Sequence, residues 1–273
     1  MPTKIIPITG GLGNQLFQYA HGRKLEIIDK KSVIFDTSFF SNSHQIQSSN
    51  LPIKKDTPRP FLLSKFNINP TSKFSQNPEN RASKIFKKII QKITGNYPLY
   101  QSEKYFAQVK DIILKELTLN KPLSTQAEII DNSIKLQTNP VSLHIRRGDY
   151  ANNLHTNKHH GLTALEYYYH ADHYIKSKVS NPVFFIFSDD ITWVKNNLKM
   201  SDCVFVSNPN ITEVEELILM SHCKHNIIAN STFSWWGAYL NQNLGKIVMA
   251  PKQWTTKKTA AELDILPKSW IQL

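Results

Sequence analysis

Residues 183–187 form an unbroken run of five apolar side chains. A run of this length predicts a strand that is covered on both faces, as in the parallel sheets of α/β proteins. The run ends at Ser188, Asp189 and Asp190. Ligands of open α/β sheets gather at the carboxyl ends of strands, so a carboxylate here could accept hydrogen bonds from a ligand. The alternative is that Ser188 or Asp189 caps the helix that follows, and one residue can cap while the other binds.

A second predicted strand, residues 141–145, leads into two arginines. Apolar and polar residues alternate along it, so His144 and Arg146 share the face opposite to the apolar side chains. Arg146 is the first candidate for phosphate contact, because a guanidinium can meet two phosphate oxygens at once and stays charged at any working pH. Arg147 falls on the apolar side and is expected to reach backbone or a neighbouring carboxylate. The alternative, a surface ion pair with Asp149 that closes the turn, stays open on these residues alone.

Near the start of the chain, a predicted strand is followed by a glycine loop and a helix. Gly10, Gly11 and Gly13 let the backbone approach a ligand closely, and the amides at a helix start can receive negative charge. The pattern is not a dinucleotide fingerprint, because a leucine stands where the third small residue would be, and no P-loop lysine follows. A glycine turn before a helix is often structural. Asn14 and Gln15 favour a binding role, since two amides at a helix start can read the hydroxyl groups of a sugar.

A third candidate site lies at residues 226–238, where an apolar strand stops at a cluster of hydroxyl side chains that opens a helix. The cluster contains Ser231, Thr232 and Ser234. Hydroxyls and backbone amides at a helix start form an anion site. The adjacent Trp235 and Trp236 can pack the helix or wall a pocket, and we favour packing in the core.

The chain has 33 Lys and Arg residues against 21 Asp and Glu, a formal net charge of +12. This excess favours nucleic acid, phosphorylated small molecules or an acidic membrane surface as partners. The sequence lacks a zinc-finger spacing and an RNA-binding aromatic signature, and its basic residues are scattered, so we expect no nucleic-acid partner. No run approaches the ~20 apolar residues of a membrane span. No apolar signal region precedes the first strand, so a cytoplasmic protein is expected.

The length of 273 residues permits two domains of ordinary size. We expect residues 1–130 to form the first, residues 131–255 the second, and residues 256–273 a tail that packs back on the first. Residues 81–94 predict a basic amphipathic helix, because isoleucines and lysines fall on different faces. That helix either packs on the body of the protein or rests on an anionic membrane surface.

Three of these stretches, residues 10–20, 144–150 and 231–240, together resemble the α-1,2-fucosyltransferase family of glycosyltransferases. Residues 187–193 and 219–230 look like two further landmarks of that family. The match is ordered and nearly full-length, and five such motifs in sequence are highly specific. The resemblance implies an α/β fold of the GT-B type, in which two Rossmann-like domains face a cleft. It places the donor, GDP-fucose, on residues 131–255 and the acceptor side on residues 1–130.

The resemblance also implies roles for individual residues. Arg146 matches the arginine that binds the donor diphosphate in similar fucosyltransferases, and Asn14 the asparagine close to the transferred fucose. His144 and Asp190 would lie near the guanosine. The implied donor-binding set is Gly11, Gly13, Asn14, His144, Arg146, Asp190, Thr232, Phe233 and Ser234. Thr232, Phe233 and Ser234 would lie near the phosphates.

The implied reaction inverts the anomeric carbon and builds an α-linked fucose on O2 of a terminal galactose. The acceptor would be a galactose-terminated oligosaccharide or a lipid-linked glycan of a bacterial surface polysaccharide. No cofactor and no divalent metal are expected, and the sequence contains no Asp-x-Asp dyad. The catalytic candidates are Arg146, Asn14 and Asp149, the last as general base, although pairing with Arg147 would lower its pKa. The alternative is a non-catalytic sugar-nucleotide or glycan binding protein of the same fold.

Overall fold

A computed structural model describes residues 3–41, 59–77 and 99–273, apart from the side chains of residues 149, 152 and 154–156. The basic helix expected at residues 81–94 lies outside the described residues. The chain divides into two compact units, Met1–Lys121 and Pro122–Leu273.

Among its described residues, the first unit contains a short parallel sheet and one long helix. Its elements are β1 (Lys4–Pro7), α1 (Leu12–Ile27), β2 (Val33–Asp36), α2 (Ser38–Ser41), β3 (Lys73–Ser75) and α3 (Lys110–Glu116), with 3-10 turns at Leu63–Lys65, Glu103–Tyr105 and Ala107–Val109. The described strands pair in the order β1-β2-β3. Strand, glycine loop and helix follow one another as the sequence predicts. Strand β1 ends at Pro7, which has no N–H to donate to a sheet.

Helix α1 lies close to β2 at Gly22. A Cβ atom on this glycine would lie 2.2 Å from Cε1 of Phe35, whose ring is fully buried. A side chain at this position therefore cannot be accommodated without a shift of the helix or of the ring.

We expect Gly22→Ala to lower the free energy of unfolding by ~1–3 kcal/mol, because the added methyl group overpacks the core. Phe35→Leu removes the ring atoms that the methyl group would meet. The double variant should therefore lose less stability than the sum of the two single variants. Urea unfolding followed by circular dichroism measures all three, and strictly additive losses would contradict this packing.

The second unit alternates strands with helices along the chain. Its helices are α4 (Thr125–Lys135), α5 (Gly148–Asn152), α6 (Leu154–His160), α7 (Leu165–Lys178), α8 (Ile191–Asn197), α9 (Glu213–His222) and α10 (Thr232–Leu240). Its strands are β4 (Pro140–Ile145), β5 (Val183–Ser188), β6 (Cys203–Phe205), β7 (His225–Ile227), β8 (Val248–Ala250) and β9 (Ile271–Gln272).

The order of these strands locates the place where a ligand is expected. The sheet is parallel throughout and has the order β6-β5-β4-β7-β8-β9. Numbered from β4, this is 3-2-1-4-5-6, the strand order of the Rossmann fold. The chain runs outward from β4 to β6 and then returns to β7 on the other side of β4. Open α/β sheets bind ligands at the carboxyl ends of the strands next to such a reversal, which here are the ends of β4 and β7.

Strand β5 is covered on both faces, as its apolar run predicts. Phe184 and Ile186 belong to one buried cluster with residues of α7. Phe185 and Phe187 belong to another, with residues of α4 and α9. The alternating side chains of a strand point to opposite faces of the sheet, so an uninterrupted apolar run buries both.

Helix α4 and the tail both belong to the second unit. The hydroxyl of Ser124 caps α4 by accepting from the N–H of Ala127 at 3.4 Å, and the N–H of Ser124 donates to Glu215 of α9 at 2.7 Å. The boundary expected at residue 130 would cut this helix. The tail, expected on the first half, instead adds β9 to β8. The aromatic and apolar residues of the tail direct it there, since Trp270 packs on Trp235 with ring centroids 5.4 Å apart.

Candidate functional site

The carboxyl ends of β4 and β5 are joined through Asp189. Its Oδ2 atom lies 2.8 Å from Nη1 of Arg146, and its Oδ1 atom accepts from the backbone N–H of Arg147 at 2.8 Å. Both side chains of the ion pair are partly exposed, so the pair contributes little to stability by itself. The ion pair acts on geometry instead, because it holds the Arg146 guanidinium at the carboxyl end of β4.

Arg147 contacts a carboxylate, as its place on the strand predicts. Its Nε atom lies 3.4 Å from Oδ2 of Asp190, and its guanidinium lies 3.4 Å from the centre of a Trp193 ring. A cation over an indole is attracted to the face of the ring. Arg147 is therefore held within the protein, whereas the proposed ion pair with Asp149 concerns a side chain outside the described set.

Asp190 is the cap of helix α8, which begins at Ile191. Its Oδ1 atom accepts from the N–H of Trp193 at 3.2 Å, and its own N–H donates to Ser188 at 3.0 Å. Ser188 or Asp189 was expected in this role. The cap lies one residue later because β5 extends through Ser188, which leaves Asp189 to face Arg146.

Gly148, at the start of α5, makes room for Asp189. A Cβ atom on this glycine would lie 2.2 Å from Oδ2 of Asp189. Gly148 is not among the candidate site residues of the sequence. A glycine directly after two arginines is a weak signal of such a close approach, because glycine also ends many strands for other reasons.

His144, two residues before Arg146, is buried, with an exposed fraction of 3%. Burial, and then the charge of Arg146, lower its pKa to about 3, so the imidazole is neutral at any ordinary pH. Its Nδ1 atom has no hydrogen-bond partner among the described residues. Its ring packs against Phe233 at the start of α10, with centroids 5.6 Å apart. A buried polar atom without a partner costs free energy, and a ligand that bonds to it would remove that cost.

The start of α10 has the features of an anion site. Ser231 precedes the helix in an extended conformation and its side chain makes no capping hydrogen bond, and the first turn contains no acidic residue. The hydroxyl of Ser234 donates to the carbonyl of Ser231 at 3.3 Å, so it closes the turn in this structure. Trp235 and Trp236 are fully buried, which confirms the expectation of core packing.

Asn230, which sequence reasoning did not select, fixes the segments around α10. Its Nδ2 atom donates to the carbonyls of His160 at 3.0 Å and Trp254 at 3.2 Å, and its Oδ1 atom accepts from Thr163 at 3.0 Å. The His160 ring stacks on Tyr150, with centroids 4.6 Å apart and planes inclined by 8°. The Tyr150 ring in turn lies 5.1 Å from the guanidinium of Arg146.

In the first unit, the side chain of Gln15 holds the glycine loop in place. Gly10 has φ +74°, a conformation that glycine adopts without strain. The fully buried Gln15 donates to the carbonyls of Gly10 at 3.0 Å and Pro60 at 2.8 Å, and accepts from Leu62 at 2.9 Å. Gln15 thus supports the loop and is not placed to read a sugar, in contrast to the expectation. Asn14 is only half buried, and Gly11 has open space where a side chain would lie.

The described residues contain neither a candidate metal cluster nor a candidate membrane span. No three His, Cys, Asp or Glu side chains are grouped there so that they could hold a metal ion. No helix in the same part of the chain is long and apolar enough to cross a membrane.

The chain is similar to glycosyltransferases along its full length. It is 33% identical to an α-1,2-colitosyltransferase of Escherichia coli, over 100% of this chain and 99% of that protein. It is also 33% identical to the O-antigen biosynthesis glycosyltransferase WbnK of Escherichia coli, over 97% and 99%. Galactoside alpha-(1,2)-fucosyltransferase 2 of Bos taurus is 26% identical over 85% of this chain and 67% of its own.

A solved structure supports the fold. The fucosyltransferase NodZ from Bradyrhizobium superposes with a TM-score of 0.50 at 12% identity, over 86% of this chain and 91% of that one. At this identity the likeness concerns the fold alone, which is an α/β fold of the GT-B type, as expected.

The model of the family described as Glycosyl transferase family 11 matches residues 5–273. The chain therefore belongs to glycosyl transferase family 11, and the resemblance to α-1,2-fucosyltransferases is confirmed.

Proposed function

We propose that this glycosyltransferase moves L-fucose from GDP-β-L-fucose to O2 of a terminal galactose, with inversion, to give an α-1,2 linkage. One observation carries the proposal. Arg146, the neutral His144 with its unpartnered nitrogen, and the uncapped start of α10 lie at the ends of the two strands that flank the reversal of the sheet. A nucleoside diphosphate offers both the anion and the hydrogen-bonding atoms that such a site lacks.

The departure of GDP is the step that this site assists. As the bond between fucose and the diphosphate breaks, negative charge grows on the phosphate oxygens. A guanidinium and backbone N–H groups fixed at that place stabilise the charge, and removal of one such donor typically costs ~3–4 kcal/mol of transition-state stabilisation. The Asp189 contact holds the Arg146 guanidinium through Nη1. The residues proposed to line the phosphates beside it are Thr232, Phe233 and Ser234.

The nucleoside end is assigned to His144 and Asp190. Because His144 is neutral, it would act through a hydrogen bond rather than through charge. Asp190 already accepts from Trp193 and Arg147, so its carboxylate is oriented, and each oxygen keeps a second lone pair for a guanine N–H.

The reacting sugar is assigned to the glycine loop. Gly11 and Gly13 would allow its close approach, and Asn14 would bind its hydroxyls. The galactose hydroxyl must lose a proton, and Asp149 is the proposed base, on the basis of its place in the sequence.

A specific observation favours a second donor, since a 33% identical relative is a colitosyltransferase. The second candidate function is transfer of colitose to the same position of the acceptor.

Transfer assays test this proposal. The protein is incubated with EDTA and a panel of galactose-terminated oligosaccharides and lipid-linked glycans, with GDP-fucose or with a nucleotide-activated colitose. We expect fucosylated product with an α-1,2 linkage by NMR, formed at the same rate with EDTA as without it. Product from the colitose donor alone would favour the second candidate. Binding of the donor without product from any acceptor would instead favour a non-catalytic binding protein.

A further inference from the structure

Residues 100–108, called here the covering segment, lie over the face of α1 that begins at the glycine loop. Asn14, Phe17 and His21 share this face, because they are three and four residues apart on the helix. Phe106 packs edge-on against Phe17, with ring centroids 6.1 Å apart. At the start of the helix, Gln101 donates from Nε2 to Oδ1 of Asn14 at 2.8 Å. The covering segment therefore ends on the asparagine that the proposed function assigns to the sugar.

The backbone at Tyr100 sets the direction of Gln101. Tyr100 has φ +52°, in the left-handed region that is unfavourable for a residue with a side chain. Its ring stacks on His21, with centroids 3.8 Å apart and planes inclined by 19°. Its carbonyl accepts from the N–H of Ser102 at 2.8 Å. A conformation of this kind persists only where its surroundings hold it, and such positions cluster at functional sites.

The contact with Gln101 engages the oxygen end of the Asn14 carboxamide. Since Oδ1 is held by Gln101, the Nδ2 group lies toward Gly10, where a Cβ atom would come within 2.8 Å of it. Gln101 is half buried, and no described residue donates a hydrogen bond to its own Oε1 atom. The pair thus presents an amide donor and an amide acceptor side by side.

We propose that Gln101 is a positioning residue for Asn14, and that the two carboxamides form one subsite for the hydroxyl groups of the transferred sugar. This inference rests on the proposed function. Vicinal hydroxyls of a pyranose can accept from the Asn14 amide and donate to Gln101. Without Gln101, Oδ1 of Asn14 loses a donor that favours this orientation, and the carboxamide more often offers its oxygen where a donor is needed.

The first test compares Gln101→Ala with Gln108→Ala, the same substitution at an exposed glutamine of the covering segment. Loss of one neutral hydrogen bond in the transition state is expected to lower kcat about 10-fold in Gln101→Ala, and Gln108→Ala should match the unmodified protein. Affinity for GDP should stay within about 2-fold in both, because the nucleotide is assigned to the second unit. Equal kcat values for all three proteins overturn the inference.

A double-mutant cycle separates positioning from general support of the structure. If Gln101 acts through Asn14, then adding Gln101→Ala to Asn14→Ala should lower kcat less than about 2-fold further. Gln101→Glu can only accept, so it would draw the Asn14 amide away from the loop and should be at least as impaired as Gln101→Ala. Independent, multiplicative losses, or normal transfer by Gln101→Glu, overturn the inference.

A measurement that needs no turnover keeps this result distinct from that of the proposed function. A protein that transfers no sugar from any donor overturns the proposed function. The side-chain amide resonances of ¹⁵N-labelled asparagine then decide the inference alone. The Asn14 amide pair should shift in Gln101→Ala and remain in place in Gln108→Ala, and an unchanged Asn14 signal in both overturns it.

Discussion

Arg146→Ala is expected to lower kcat/KM for fucose transfer about 10³-fold, the upper end for loss of one donor at a site of developing charge. This substitution removes the guanidinium from the end of β4, next to the reversal of the sheet. The backbone amides and hydroxyl groups proposed at the start of α10 would be left to balance the diphosphate. Affinity for GDP should fall as well, because a charge-assisted contact is lost in the ground state.

Two further variants separate charge from geometry at this position. Arg146→Lys keeps the charge but not the planar fork, so we expect an intermediate loss of about 10–100-fold. Lys178→Ala removes one positive charge from the last turn of α7, which leads to the amino end of β5, and should transfer at the normal rate. Initial rates and titration calorimetry with GDP measure these effects. Normal transfer by Arg146→Ala would refute the assigned diphosphate contact.

Gly148→Ala is expected to lower kcat about 10²-fold without any change in a group assigned to the substrate. Its added Cβ atom would occupy the place of Asp189 Oδ2, the oxygen that pairs with Arg146. The carboxylate must move, and the guanidinium loses the anchor that aims it. A displacement of about 1 Å in a positioning group can cost 10²-fold in rate.

The control for Gly148→Ala uses the residue that it displaces. Asp189→Ala alone should also be impaired, and because it vacates the contested space, Gly148→Ala added to it should change kcat little. Gly245→Ala, at φ +73° with open space around it, should lose stability but transfer normally. If the two losses at Gly148 and Asp189 multiply, the glycine acts by another route.

Local sequence patterns predicted the strands and helix starts that place the candidate site residues of the second unit. An apolar run of strand length has few alternatives, so β5 and the polar residues at its end could be placed from the sequence. The alternation in β4 likewise placed His144 and Arg146 on one face. Which carboxylate caps α8 could not be predicted, because it depends on whether β5 stops at Phe187 or at Ser188.

The residues that sequence reasoning missed act through neighbours distant in the chain. Asn230 bonds to residues near 160 and 254, and Gln101 to a helix start 87 positions earlier. Gln15 shows the converse. Its amide stands in the predicted place, but the partners that occupy it, Pro60 and Leu62, come from a segment without a clear pattern.

The pairing of β9 with β8 has a consequence during synthesis on the ribosome. Helix α10, the proposed phosphate helix, is held from behind by the tail, where the Trp235 indole donates to the carbonyl of Ile265 at 2.8 Å. The N–H of Lys252 also donates to the carbonyl of Leu273 at 2.8 Å. A nascent chain in which every residue proposed to bind the nucleotide has left the ribosome therefore still lacks this support until residue 273 leaves the exit tunnel.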